Sequence, residues 1–212
     1  MTQLIVVTVE NDHLESLARP SRNLAGIAEL IWNALDAEAQ TVRVTLAESA
    51  LAGVAAVRVV DDGHGMRHED ALEEFAHLGG SWKLHTNHSK THKRLLHGKH
   101  GQGRWRAFSM GSYVRWISVA EAEAGQEVTT ITGSRSTLTQ FEVSEPDSTN
   151  ENVGTTVIIE NIEEESASGL LAEQAADRLT AMLAPYLERY RRHDGADSVY
   201  AARQEGAGAK SP

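Results

Sequence analysis

The chain has 212 residues, 41% of them hydrophobic, no cysteine and a formal net charge of −10. That length suits one large domain or two small ones, and the absent thiols exclude disulfides, thiolate metal sites and cysteine nucleophiles. The acidic balance argues against a general nucleic-acid binder, no run approaches the roughly 20 apolar residues of a membrane span, and the start MTQLIVVTVENDH lacks a signal peptide's basic stretch and cleavage site, so a cytoplasmic home is expected.

Residues 3–9 read as a strand. Pro20 and Ser21 open a helix to about Ala37, with Leu24, Ile27, Ile31 and Leu35 on one face. TVRVTL (41–46) alternates as a strand, AAVRVVDD (55–62) reads as a second strand that ends in acids and glycine, and HEDALEEFAHL (68–78) reads as a short acidic helix. Residues 79–97 have no apolar period and read as a long mobile loop. GRWRAFSM then starts a helix, and SYVRWISV, EVTTIT, LTQFEV and TTVIIENI give four strands. Residues 172–190 form a helix that tolerates Pro185. The expectation is one α+β domain over 1–192, with a mostly antiparallel sheet, followed by a polar tail or linker at 193–212.

Charge is unevenly spread. From His77 to Ala120 there is no acidic residue but eight basic ones: Lys83, Lys90, Lys93, Arg94, Lys99, Arg104, Arg106 and Arg115. A basic island in an acidic chain predicts a local anion site, against the plainer reading of a solvated basic loop.

Four short motifs carry chemistry. In ELIWNALDA (29–37), Glu29, Asn33 and Asp36 fall on one side of the helix at 100° per residue. Asn is a weak helix former, so a mid-helix Asn is a costly choice for a merely solvated face. Its amide oxygen suits a hard cation such as Mg²⁺, and the carboxylate one turn earlier suits activating a water. In VVDDGHGM (59–66), a strand ends on Asp61 and two glycines, Gly63 and Gly65, permit tight turning or close ligand approach. A buried Asp accepts from the amine of adenine, where guanine presents an oxygen instead. In HGKHGQGRWRAF (97–108), Gly98, Gly101 and Gly103 follow a G-x-x-G-x-G spacing that is neither a P-loop nor a dinucleotide fingerprint, yet it turns backbone N–H groups toward an anion. Finally, Gly154-Thr155 opens a late strand and brings a hydroxyl suited to a base or a water beside Asp61.

The order E-x-x-x-N-A-x-D-A, D-x-G-x-G, G-x-x-G-x-G, G-T resembles the four-motif pattern of the GHKL ATPase superfamily, over roughly residues 20–190. That group includes DNA gyrase B, the ninety-kilodalton heat-shock chaperones, sensor histidine kinases and MutL. The resemblance implies a Bergerat fold, a two-layer α+β sandwich whose mixed, mostly antiparallel sheet is covered on one face by helices. It implies Mg-dependent ATP binding and hydrolysis beneath a mobile lid, used as a conformational or dimerisation switch. Matched residue by residue, Glu29 is the general base and Asn33 the Mg²⁺ ligand. Asp61 takes the adenine amine beside Gly63, Gly65 and Met66, Thr155 supports Asp61 through its hydroxyl, and Asp36 has a supporting role. The lid and its phosphate loop would contribute Ser81, Lys83, Gly98, Lys99, His100, Gly101, Gln102, Gly103 and Arg104.

Glu29 favours the hydrolysing branch over the histidine kinases, which normally lack that acid and use a phospho-acceptor helix not found here. A nucleotide-sensing interaction domain with little turnover is the alternative. The resemblance also implies a second domain that supplies a lysine and couples to dimerisation. About 20 polar residues follow the last helix, so that lysine is expected from a longer parent chain or a partner, or turnover is slow. Two lesser readings concern the lid. His85, His88, His92, His97 and His100 read as a polar, weakly basic cluster, with a zinc or nickel site the less favoured alternative since no carboxylate or cysteine joins them; their protonation predicts tighter ATP binding at pH 6 than at pH 8. Trp82 and Trp105 flank the lid and are expected to report its closure.

Overall fold

A computed structural model of the chain describes residues 2–6, 11–19, 23–49, 53–76, 96 and 103–194. The elements run β1 (Thr2–Val6), α1 (Asn11–Leu17), α2 (Asn23–Asp36), β2 (Val42–Glu48), β3 (Val54–Asp61), α3 (His68–Ala76), α4 (Gly103–Ala107), β4 (Gly111–Ala122), β5 (Gly125–Ser134), β6 (Gln140–Ser144), β7 (Asp147–Thr149), β8 (Gly154–Ile162), α5 (Glu164–Leu171) and α6 (Ala175–Asp194). The expected strands and the four expected helices, α2, α3, α4 and α6, are present. The short helices α1 and α5 were not anticipated, because seven or eight residues give too few turns for an apolar period to declare itself. Helix α6 runs through Pro185 and two residues beyond the expected boundary at 192.

The sheet order is β1-β6-β5-β4-β8-β3-β2, with the short β7 pairing β5 off that path. Among the described residues every pairing is antiparallel, so the expected mixed character resolves to its antiparallel part.

Register explains which residues face the helices. Residues two apart share a face and cross-strand partners stand side by side. One lateral row is Val57, Ile159 and Val114; the next is Val59, Val157, Trp116 and Ile131. All seven are buried in a continuous core with apolar residues of α1, α2, α4, α5 and α6. The opposite face carries Arg58, Arg115, Thr132 and Glu142 in one row, and Arg115 pairs there with Glu160 at 3.3 Å. Helix α2 lies in the middle of the helical layer. Eleven of its fourteen residues are buried, including Ile27, Ile31 and Leu35, while Asn33 is exposed.

Candidate functional site

A cavity opens between α2 and the end of the sheet. Its walls include Glu29, Asn33 and Asp36 of α2, Asp61 and His64–Met66 after β3, Thr155 and Val157 of β8, Trp116 of β4, Phe75 of α3, and Gly103 and Arg104 of α4. All four sequence motifs therefore reach the cavity, the third through Gly103 and Arg104, while Gly63 and Gly154 stand behind its wall.

Asp61 sits at the last position of β3. Its Oδ1 accepts from the backbone N–H of Gly63 at 2.9 Å and of Thr155 at 3.3 Å. Among the described residues no donor reaches Oδ2. Burial pushes its pKa up to about 6, against the pull of those two amides, and neighbouring Asp62 adds to the rise. The two adjacent aspartates have different work. Asp62 is exposed and its Oδ1 accepts from Gln40 N–H at 2.7 Å and Thr41 N–H at 2.8 Å, which ties the turn to the chain leaving α2. His64 N–H donates to the Ala37 carbonyl at 2.9 Å, a second tie between the same two motifs.

The turn needs Gly65 for a backbone reason. Its φ is +63°, and a Cβ there would lie 2.0 Å from the Val119 carbonyl oxygen. The next residue, Met66, donates its N–H to the Ser118 hydroxyl at 2.7 Å, and that hydroxyl lies 3.2 Å from Thr155 Oγ1. Thr155 therefore supports Asp61 through its amide, while its hydroxyl pairs with Ser118 rather than with the carboxylate. Ser118 was invisible in sequence, because a lone Ser in SYVRWISV has no spacing signal; only register sets it beside Thr155.

On the helical side, Glu29 is half-buried and its Oε2 stands 4.0 Å from Arg106 Nε. That nitrogen is buried and makes no hydrogen bond. Gly103 begins α4 directly against α2: a Cβ on it would fall 2.8 Å from Glu29 Cγ and 3.0 Å from Asn33 Nδ2. Asp36 is buried at the cavity wall and is itself engaged in the structure. Among the described residues no three histidine or carboxylate side chains group to hold a metal.

Arg104 lines the cavity but its guanidinium is already occupied. It donates to the Glu74 carbonyl in the last turn of α3 and lies 4.7 Å from the centroid of the Phe75 ring. A cation at a helix C-terminus satisfies orphan carbonyls and complements the dipole. Burial pulls its pKa down to about 10, so it stays charged at neutral pH. Trp105, expected to flank a lid, is wholly buried, donating Nε1–H to the Leu138 carbonyl at 2.8 Å beside Phe141. The tryptophan that lines the cavity is Trp116. Ser81, Lys83, Gly98, Lys99, His100, Gly101 and Gln102, the clustered histidines from His85 to His100, and Trp82 lie outside the described residues.

Comparison with known proteins matches residues 23–168 to the family described as histidine kinase-, DNA gyrase B-, and HSP90-like ATPase. The chain is also 37% identical over 70 residues to the DNA mismatch repair protein MutL of Geobacillus kaustophilus (strain HTA426). That aligned stretch covers 33% of this chain and 10% of the MutL protein. No helix among the described residues is long and apolar enough to cross a membrane.

Proposed function

The chain belongs to the histidine kinase-, DNA gyrase B- and HSP90-like ATPase family, and from that premise we propose that it binds Mg-ATP in the cavity beneath α2 and hydrolyses it slowly as a conformational switch. One observation carries the reading. Asp61 precedes the turn that His64 ties to Ala37 just past the C-terminal end of α2, and Glu29 lies eight residues before Ala37, about 12 Å along the helix axis. A carboxylate suited to a base and a carboxylate suited to a reacting phosphate thus sit at opposite ends of one cavity.

The chain's residues fit that ligand. Asp61 Oδ2, without a donor among the described residues, accepts from the adenine amine. Val59, Val157, Trp116 and Met66 supply apolar walls, and the Thr155 hydroxyl faces the base. Asn33, exposed on the cavity side of α2, would offer its amide oxygen to Mg²⁺ brought in with the phosphates, and the ion would supply positive charge to them. Glu29 takes the proton from the water that attacks the terminal phosphorus as the bond to the bridging oxygen breaks. The loop expected at 79–97 acts as a basic lid, with Gly98, Gly101 and Gly103 after it at its phosphate end. Residues 1–192 form the nucleotide-binding unit and the polar stretch after it a linker. A second copy of this chain, or a larger assembly, supplies the remaining cation and reads the switch.

Titration of the protein with Mg-ATP and Mg-GTP, alongside a phosphate-release assay, tests this. Wild type binds ATP over GTP and releases phosphate; Glu29→Gln keeps binding and loses release; Asp61→Asn loses binding. An Asp61→Asn protein with wild-type affinity overturns the placement of the base. The Arg106–Glu29 contact favours a second reading, a nucleotide sensor with little turnover, because a base facing a fixed cation is held away from water. Equal, negligible phosphate release from wild type and Glu29→Gln, with ATP binding intact, selects it.

A further inference from the structure

We infer that Ser118 is a positioning residue that sets the proton direction of Thr155, making the Thr155 hydroxyl a hydrogen-bond donor into the base pocket. This rests on the adenine-binding reading above. The register across the sheet is Asp61, Thr155, Ser118, Thr129, one residue from each of β3, β8, β4 and β5. Ser118 and Thr129 are completely buried.

A serine hydroxyl has one proton to give and two lone pairs to receive. The Met66 amide, at 2.7 Å, occupies one lone pair of Ser118. The proton of Ser118 needs an acceptor, and the described residues offer it only Thr155 Oγ1, at 3.2 Å. Thr129 is the neighbour on the other side, but its hydroxyl is buried and makes no hydrogen bond, so it takes no proton from Ser118. Leaving a buried O–H unpaired is costly, so Ser118 donates and Thr155 accepts.

That assignment frees the proton of Thr155. Thr155 lines the cavity next to Asp61, so its own O–H points where a base would lie. The pocket edge then offers an acceptor, Asp61 Oδ2, beside a donor, Thr155 Oγ1–H. Adenine presents the complement, an amine beside the N1 lone pair. Guanine presents an oxygen and an N–H in those places and is mismatched at both. The acceptor alone leaves half of this readout unexplained; Ser118 supplies the other half from outside the cavity wall, through Thr155.

The test uses ADP and 1-deaza-ADP, which replaces the N1 acceptor by C–H, with binding measured by calorimetry. Wild type binds ADP more tightly than 1-deaza-ADP. Ser118→Ala weakens ADP by about three- to tenfold, the worth of one hydrogen bond, and leaves 1-deaza-ADP within twofold, so the preference shrinks. In a Thr155→Val background, Ser118→Ala changes neither affinity beyond twofold. Ser118→Cys, which is slightly larger and keeps a weak S–H donor, retains part of the preference and serves if the alanine variant does not fold. Equal weakening of ADP and 1-deaza-ADP, or no change in either, overturns the inference. The outcomes separate from failure of the parent reading: wild type that binds no adenine nucleotide sinks both, whereas binding that is lost in Asp61→Asn with an unchanged Ser118→Ala preference sinks this inference alone.

Discussion

Gly103 stands against Glu29 so closely that a single added methyl would lie 2.8 Å from Glu29 Cγ and 3.0 Å from its Oε1. The last glycine of the G-x-x-G-x-G loop thus lets α4 reach the carboxylate proposed as the base. Its absence of a side chain serves the contact between α4 and α2. Gly103→Ala is expected to push Glu29 off its position, lowering phosphate release at least tenfold. Overpacking is expected to cost about 1–3 kcal/mol in urea unfolding. Phosphate release within twofold of wild type would show that Glu29 tolerates the displacement.

Asp61 gives a pH dependence of known sign. Its folded pKa, about 6, lies above its unfolded value of 3.8, because burial opposes the charged form. The folded protein therefore holds a proton that the unfolded chain has released. The favourable contribution is full below pH 3.8 and is lost as pH rises through 6, at a total of about 3 kcal/mol. Asp61→Asn keeps an oxygen for the Gly63 and Thr155 amides and has no charge to bury. The nucleotide-free variant is expected to be more stable than wild type at pH 7.5, with the gap narrowing toward pH 4. Chemical denaturation at several pH values checks this, and a gap that widens on acidification would contradict it.

The same titration bears on nucleotide affinity. Protonation of the histidines from His85 to His100 is expected to favour ATP at pH 6, while protonation of Asp61 is expected to weaken its proposed pairing with the adenine amine in the same range. Adenosine has no phosphates for the lid to hold, so it isolates the second effect. Adenosine is expected to bind several-fold more weakly at pH 5.5 than at pH 7.5. Equal affinities would show that the Asp61 carboxyl accepts the amine equally well in both states.

Arg104 is expected to act on stability more than on phosphate. Its guanidinium caps the α3 carbonyl of Glu74 and lies over Phe75. Arg104→Gln is expected to cost about 1–3 kcal/mol, with ADP affinity within fivefold of wild type. A large loss of ADP affinity at unchanged stability would return Arg104 to the phosphate site.

Trp116 is the cavity's own reporter. Its ring packs edge-on against Phe75 at 5.1 Å and lines the cavity. ADP is expected to change the protein's fluorescence, with the change reduced in Trp116→Phe and kept in Trp105→Phe. The reverse pattern would place the nucleotide elsewhere.

Much of this was legible in the residues. Strands β2, β3, β4 and β8 are legible because one face meets helices and the other carries Arg58, Arg115 and Glu160. Helix α2 declared both its apolar stripe and its polar exceptions, Glu29 and Asn33. Other residues carried no local signal. Nothing in VVDDGHGM distinguishes Asp61 from Asp62 by chemistry, yet one faces the cavity and the other holds the chain leaving α2. Nothing in GKHGQGRWRAF separates Arg104 from Arg106, yet one caps α3 and the other faces Glu29.

The sequence by itself determined the fold family and the motif order, because periodicity, turn glycines and residue chemistry are local properties that the chain carries wherever it goes. The tertiary structure decided which neighbour each motif meets. Ser118 and Thr155 are 37 residues apart and become partners only through the register of β4 on β8. Gly103 and Glu29 lie on different helices and meet only because the packing of α4 on α2 leaves no room for a side chain. Hydrogen bonds and steric contacts act over a few ångströms, so their partners are set by packing and register rather than by distance along the chain.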